Sequence, residues 1–175
     1  PFTVWERLNE GRTSSWSWPV LVALVACNGG LRAGVYRGDD VAYRVGEPPA
    51  SWRQVGLRDN DVAFVDPAGL FLIGVNATCE EHGDPPLEVL TRHLLIGFTD
   101  RVEVSREERR LDGRAALRSH YRAELDGVPV EMVLWVMKKD LCVYDFTYLA
   151  PVGRLAEHQA AFDQLLQTFT TEVSK

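Results

Sequence analysis

Four histidines, three cysteines and a run of carboxylates are the side chains of this 175-residue chain best placed to do chemistry. Cys79 is followed by Glu80, Glu81, His82 and Asp84, oxygen and nitrogen donors of the kind divalent cations take. Their spacing fits no established metal loop, so the expectation is a solvated acidic stretch, with no metal and no cofactor. A cysteine nucleophile would need a histidine and an orienting group beside it. His82, His93, His120 and His158 stand in no such motif, and the sequence has no G-x-S-x-G elbow, no phosphate-cradling glycine loop and no H-E-x-x-H. No catalytic residue is assigned. More pointed is Tyr144-Asp145-Phe146-Thr147-Tyr148. On a strand, alternation puts Cys142, Tyr144, Phe146 and Tyr148 on one face and Val143, Asp145 and Thr147 on the other. Asp145 then faces a helix layer or a crevice. There it is either a ligand contact with a raised pKa or a structural group bonded to an arginine or to backbone donors, because buried charge needs partners. Asp145 and Tyr144 are therefore candidate ligand or partner contacts. The aromatic residues are core first, with Trp52 and Trp135 the surface candidates for an interaction patch.

The elements that must position these residues follow from periodicity. Val41 to Val45 is strand-like, Glu47-Pro48-Pro49 breaks it, and Trp52 to Val55 predicts a second short strand. Val62 to Val65, the turn Asp66-Pro67-Ala68-Gly69 and Leu70 to Val75 predict a hairpin, its second arm apolar without alternation and so covered on both faces. Asp84-Pro85-Pro86 reads as a helix start with Asp84 as N-cap, and Leu87, Leu90, Leu94, Leu95 and Phe98 follow at helical spacing. From Val102 the period becomes two. Asp112-Gly113 and Asp126-Gly127 are two-residue hairpin signals, and the strands Arg114 to Leu125, Val128 to Lys138 and Leu141 to Leu149 should make an antiparallel meander. A last helix carries Leu155, Phe162, Leu165, Leu166 and Phe169 on one face. Strands, helix, meander and helix in this order predict an α+β domain with helices packed on an antiparallel sheet.

Composition is that of a globular domain, 46% hydrophobic and 25% charged, and the net charge of -6 argues against nucleic acid or an anionic lipid surface as partner. Leu24-Val25-Ala26-Cys27-Asn28-Gly29 closes the short apolar run Val20 to Ala26 and resembles the lipobox of bacterial lipoproteins. The run is too short to span a bilayer. Ahead of it Glu6, Arg7, Glu10 and Arg12 sum to zero, whereas a signal has a positive leader. The resemblance implies that Cys27 is lipidated and that residues 1–27 act as a signal segment ending at it. Residues 28–40 would be a tether and 41–175 a single domain. It also implies a periplasm-facing, lipid-anchored place in the cell envelope, with Asn28 favouring the outer membrane. With Cys27 acylated, Cys79 and Cys142 remain as a pair that an oxidising compartment permits to join; the alternative is two buried free thiols. Asn76-Ala77-Thr78 matches a glycosylation sequon, accidental in a bacterial protein.

The element order, with Trp52, Phe64-Val65-Asp66-Pro67, Leu111-Asp112-Gly113-Arg114 and the closing Phe162 to Phe169 helix, is similar to the PsbP-like fold, including the DcrB-like lipoproteins. The resemblance covers residues 41 to 170 and implies an α/β/α sandwich serving as a binding or assembly accessory without catalytic residues. The expected function is a non-catalytic envelope lipoprotein that binds a protein partner or a small apolar ligand held between sheet and helices. The alternative is a small periplasmic hydrolase or thiol enzyme.

Overall fold

The computed structural model describes residues 30–58, 60–79 and 83–172. Three short strands come first, β1 (Gly30–Arg32), β2 (Val35–Arg37) and β3 (Ala42–Arg44), then β4 (Arg53–Val55), β5 (Val62–Val65) and β6 (Leu72–Thr78). Helix α1 (Leu87–Leu94) leads into the meander β7 (Phe98–Leu111), β8 (Arg114–Leu125), β9 (Val128–Lys139) and β10 (Cys142–Pro151). A 3₁₀ turn (Leu155–Glu157), helix α2 (Gln159–Gln167) and β11 (Thr170–Glu172) complete the described chain. The strands pair antiparallel in a seven-stranded sheet of order β4-β5-β6-β10-β9-β8-β7 and a four-stranded sheet of order β1-β2-β3-β11.

Alternation along β10 divides the core in two. Tyr144, Phe146 and Tyr148 point to the α2 side, where Phe146 meets Phe169 at 4.8 Å between ring centroids and Tyr148 stacks on Phe162 at 5.5 Å. Tyr43 of the small sheet closes this side against Phe169 and Tyr144. Leu149, Leu72, Leu134, Met132 and Tyr121 point the other way, where Leu94 and Leu95 at the end of α1 cover them. The result is a helix layer on each face of the large sheet, the α/β/α arrangement expected. Burying each of these large side chains contributes about 1.5–3 kcal/mol, which outweighs the weak intrinsic stability of two helices of eight and nine residues.

Three turns of the meander run through positive φ at both central residues: Asp112-Gly113, Asp126-Gly127 and Asp140-Leu141. The first two carry the glycine that signals them; the third places a leucine at φ 65°, with its side chain 94% exposed, and has no such signal. In the β5–β6 turn the buried Asp66 carboxylate accepts hydrogen bonds from the backbone N–H groups of Ala68, Leu70 and Phe71. β7 lies at the sheet edge and is almost wholly exposed, and its arginines and glutamates discourage pairing with another chain.

Three local expectations need correction. Residues 30–37, expected as part of a tether, form the hairpin β1–β2, because Tyr36 is buried and stacks on Tyr43 at 5.0 Å. Asp84 does not cap α1: the helix begins after Pro86, and Asp84 is exposed and paired with Lys138. The cause is the double proline, since a residue before proline is driven out of helical φ/ψ. Both Asp84 and Pro85 precede one. Lastly, Phe98 and Phe169, expected on the two helical stripes, fall outside α1 and α2, Phe98 as the first residue of β7. Thr170–Glu172 forms a strand held on β3, with Glu172 bridging Arg37 at 2.9 Å and Arg44 at 3.1 Å. Cys27 and the apolar run before it lie outside the described residues, as do Glu80, Glu81 and His82. Among the described residues no helix is long and apolar enough to cross a membrane, and no three histidine, cysteine or acidic residues are grouped to hold a metal.

Candidate functional site

The register of the central strands builds the floor of a groove. Thr78, Asn76, Gly74 and Leu72 of β6 stand opposite Val143, Asp145, Thr147 and Leu149 of β10, all on the α1 side of the sheet. Val136 of β9 lies opposite Asp145 on the same face. α1 crosses this face at one end, and His93 and Leu94 overhang the floor. Two adjoining hollows of about 500 Å³ and 430 Å³ share Asn76, Asp145, His93 and Leu94, so they form one continuous groove. Leu90, Val136 and Val143 make one end apolar; at the other, Leu72, Leu149, Ile96, Phe98 and Leu57 stand with Arg58 and Asn60. Ile96, 76% exposed, stands at the rim.

Gly74 opens the floor. Any side chain there would point into the groove where the Asn60 carboxamide now sits, 2.6 Å from the position of a Cβ. A glycine inside a central strand weakens it and is found where another group comes close to the backbone.

Asp145 is the polar centre of this surface. Within hydrogen-bonding distance among the described residues is the Asn76 side-chain amide, which donates to it at 3.4 Å and also reaches Thr78 Oγ1 at 3.4 Å. Among the described residues no arginine and no backbone N–H donates to it, although Arg58 lines the same hollow. Burial therefore dominates and pushes the Asp145 pKa up to about 7; the Asn76 amide opposes the rise and the charge of Asp61 adds to it. Asp61 is itself raised by burial, although the Tyr43 hydroxyl at 3.1 Å and the Ala77 N–H at 3.0 Å donate to it. A carboxyl poised near neutrality on a floor it shares with Asn76, Thr78 and Thr147 can accept from a ligand donor when ionised and donate to a ligand acceptor when protonated.

The other expected contacts are dispersed. Tyr144 is buried on the opposite face, in the aromatic cluster with Tyr43 and Phe169. Trp52 is buried too, edge-on to His158 at 5.2 Å. Trp135 is half-buried on the α2 side in a shallow hollow with Asp163, Leu166 and Gln167, and its indole N–H has no partner among the described residues. Alternation placed Tyr144 and Asp145 on opposite faces from the outset, so only one of them could line this groove. That Asn76, His93 and Gly74 would line one groove carried no signal in the sequence, because nothing local says which strand lies beside β10.

Cys79 and Cys142 are joined in a disulfide between the neighbouring strands β6 and β10, at the end of the groove floor that Thr78 and Val143 mark. Neither sulfur is then a free thiolate. Of the described histidines, His120 Nε2 lies 2.9 Å from the buried carboxylate of Glu131, which also accepts from Arg122 and from the Gly153 N–H. His158 packs against Trp52 and Phe71, which leaves His93 as the histidine of the groove.

No protein-family model matches the sequence, and no curated protein matches it. Solved structures do resemble the fold. The solution structure of CyanoP, the cyanobacterial PsbP of Synechocystis sp. PCC 6803, is 17% identical with a TM-score of 0.60, over 85% of this chain and 99% of that one. LpqN of Mycobacterium tuberculosis, described as involved in cell envelope biogenesis, is 14% identical with a TM-score of 0.55, over 78% and 87%. Protein PA94 of Pseudomonas aeruginosa, of unknown function, is 17% identical with a TM-score of 0.51, over 79% and 91%. At these identities the likeness speaks for the fold alone, and that fold, an antiparallel sheet between two helix layers, is PsbP-like.

Proposed function

We propose that this protein is a non-catalytic binding module whose α1-side groove holds a small ligand with an apolar body and a single hydrogen-bonding head. One observation carries the reading: a continuous groove with aliphatic walls whose floor presents the registered pair Asn76 and Asp145 at its middle. Ligand sites of this kind are mostly apolar with few polar groups that fix orientation. The leucines and valines would supply affinity, and the pair would select for a head group able to hydrogen-bond.

The envelope setting belongs to the same proposal. The fold it shares with LpqN, the joined cysteines and the lipobox-like Cys27 together support an extracytoplasmic, lipid-anchored accessory. A protein partner docking over the rim at Ile96 would be compatible with that role. For the hydrolase or thiol-enzyme reading, the joined sulfurs supply no nucleophile and no described serine lines the groove.

The test is displacement of an environment-sensitive fluorophore, such as an anilinonaphthalene sulfonate, by a series of aliphatic amines, alcohols and acids. Saturable displacement by at least one class, weakened about tenfold or more by Leu94→Glu and by Asp145→Leu, is expected. Indifference of binding to both substitutions would refute the assignment of the groove. Palmitate labelling in cells that persists in a Cys27→Ser variant would refute the anchor.

A further inference from the structure

α1 has a second flank, and the hollow there has a different character. Of about 560 Å³, it is lined by Arg92 and Glu88 of α1, by Arg101, Glu103 and Arg106 of β7, and by Tyr121 of β8. Three guanidinium groups face two carboxylates, a local excess of positive charge in a chain whose net charge is -6.

The internal pairing concentrates that excess on two residues. Glu103 takes Arg106 through Nε at 3.2 Å and through a terminal guanidinium nitrogen at 2.6 Å, and the Tyr121 hydroxyl donates to it at 2.6 Å. Arg92 donates to the Glu88 backbone carbonyl at 3.3 Å, and Arg101 to the Leu95 carbonyl at 3.4 Å. Those acceptors are neutral. Among the described residues neither Arg92 nor Arg101 forms an ion pair, so both guanidinium groups are held in place by the backbone; with the Glu88 carboxylate lining the same hollow, the two leave a net excess of one positive charge.

The strand is deformed where these residues leave it. β7 shifts register against β8 between Thr99 and Val102 and again between Glu103 and Ser105, and Asp100 in the first irregularity has φ 47°. Each shift inserts a residue. Without the second, strand alternation would send Glu103 and Arg106 to opposite faces; with it, they stand opposite Tyr121 and Ser119, which share the α1 face. Ser119 is fully buried there, and its hydroxyl has no hydrogen-bond partner among the described residues. Bulges re-aim side chains, and strained backbone gathers at binding sites.

We infer that this hollow is an oxyanion site, in which Arg92 and Arg101 receive the phosphate or carboxylate group of a small molecule and Arg106, braced by Glu103 and Tyr121, borders it. Guanidinium forks match both groups in geometry, and charge-assisted bonds to them are the strong ones. The inference stands apart from the apolar groove on the other flank of the helix.

The full chain, labelled with ¹⁵N, would be titrated with inorganic phosphate and separately with citrate, each against sodium chloride at matched ionic strength. Saturable shifts centred on the amides of Arg92, Arg101, Arg106 and Tyr121 are expected with one anion or both; which anion saturates identifies the chemistry. An R92Q/R101Q variant should bind at least about tenfold more weakly, and R37Q, which removes an arginine of the small sheet, should bind as the parent does. Linear shifts equal to those in chloride would overturn the inference, as would an undiminished affinity in the folded double variant. Should that variant fail to fold, R101K keeps the charge but loses the planar fork, and equal affinity there would count against the site.

Discussion

Replacing Asp145 with asparagine should make the protein more stable, by an amount that depends on pH. A carboxyl whose native pKa lies above its unfolded value holds its proton more tightly in the folded protein. Its contribution to stability is therefore complete below the unfolded value of 3.8 and is lost as pH rises through about 7. At about 1.4 kcal/mol per pH unit across that interval, full ionisation costs the native state about 4 kcal/mol. Asp145 keeps part of its surface open at the groove floor, so water screens part of this and about 2–4 kcal/mol is the working range. Asparagine keeps the shape and cannot ionise. Urea unfolding of parent and Asp145→Asn between about pH 4 and pH 8 reads the effect, because titrating groups other than the coupled Asp61 cancel in the difference. The gap should be small at the acid end and should widen to about 2–4 kcal/mol in favour of the variant at the alkaline end. Two stability curves running parallel over that range would refute the assignment of a buried, weakly partnered carboxyl.

Glu131 should behave in the opposite sense. Burial opposes its ionisation, but the Gly153 N–H, His120 and Arg122 together hold its pKa below the usual 4.5, so its contribution is present above that value and is lost as pH falls below it. Glu131→Gln should cost about 2 kcal/mol at neutral pH, measured as a lowered Tm, with the deficit shrinking in acid. Reducing the Cys79–Cys142 bridge, which spans 63 residues, should lower unfolding free energy by about 4 kcal/mol in the chain-entropy account, visible as a shifted urea midpoint on adding a reductant. Leu141→Gly should raise stability by about 1 kcal/mol, because the leucine sits at positive φ with its side chain in solvent. An unchanged or lowered Tm there would mean that the turn is not strained.

Much of the fold was legible because its signals are local. The period-two stretches from Arg114 onward, with Asp112-Gly113 and Asp126-Gly127 between them, carry their strand assignment in four to twelve neighbouring residues. The stripe of Phe162, Leu165 and Leu166 does the same for α2, although Phe169 falls after its last residue. The bulges of β7 were not legible, since a register shift is defined only against a partner strand. Nor was the β-structure of Gly30–Arg32 and Thr170–Glu172, three-residue segments that are strands only because β2 and β3 present open edges to them.

For the candidate site the division is sharper. Alternation alone determined that Asp145 would face away from Tyr144, Phe146 and Tyr148, because side chains on any strand must point to opposite sides. What surrounds Asp145 was decided by the tertiary structure. Pairing β6 with β10 set Asn76, 69 positions away in sequence, beside it and the gap at Gly74 near it, and the packing of α1 roofed one end with His93 and Leu94. Depth of burial, and with it the raised pKa, belongs to that assembly, because desolvation depends on every neighbour at once and no stretch of sequence contains them all.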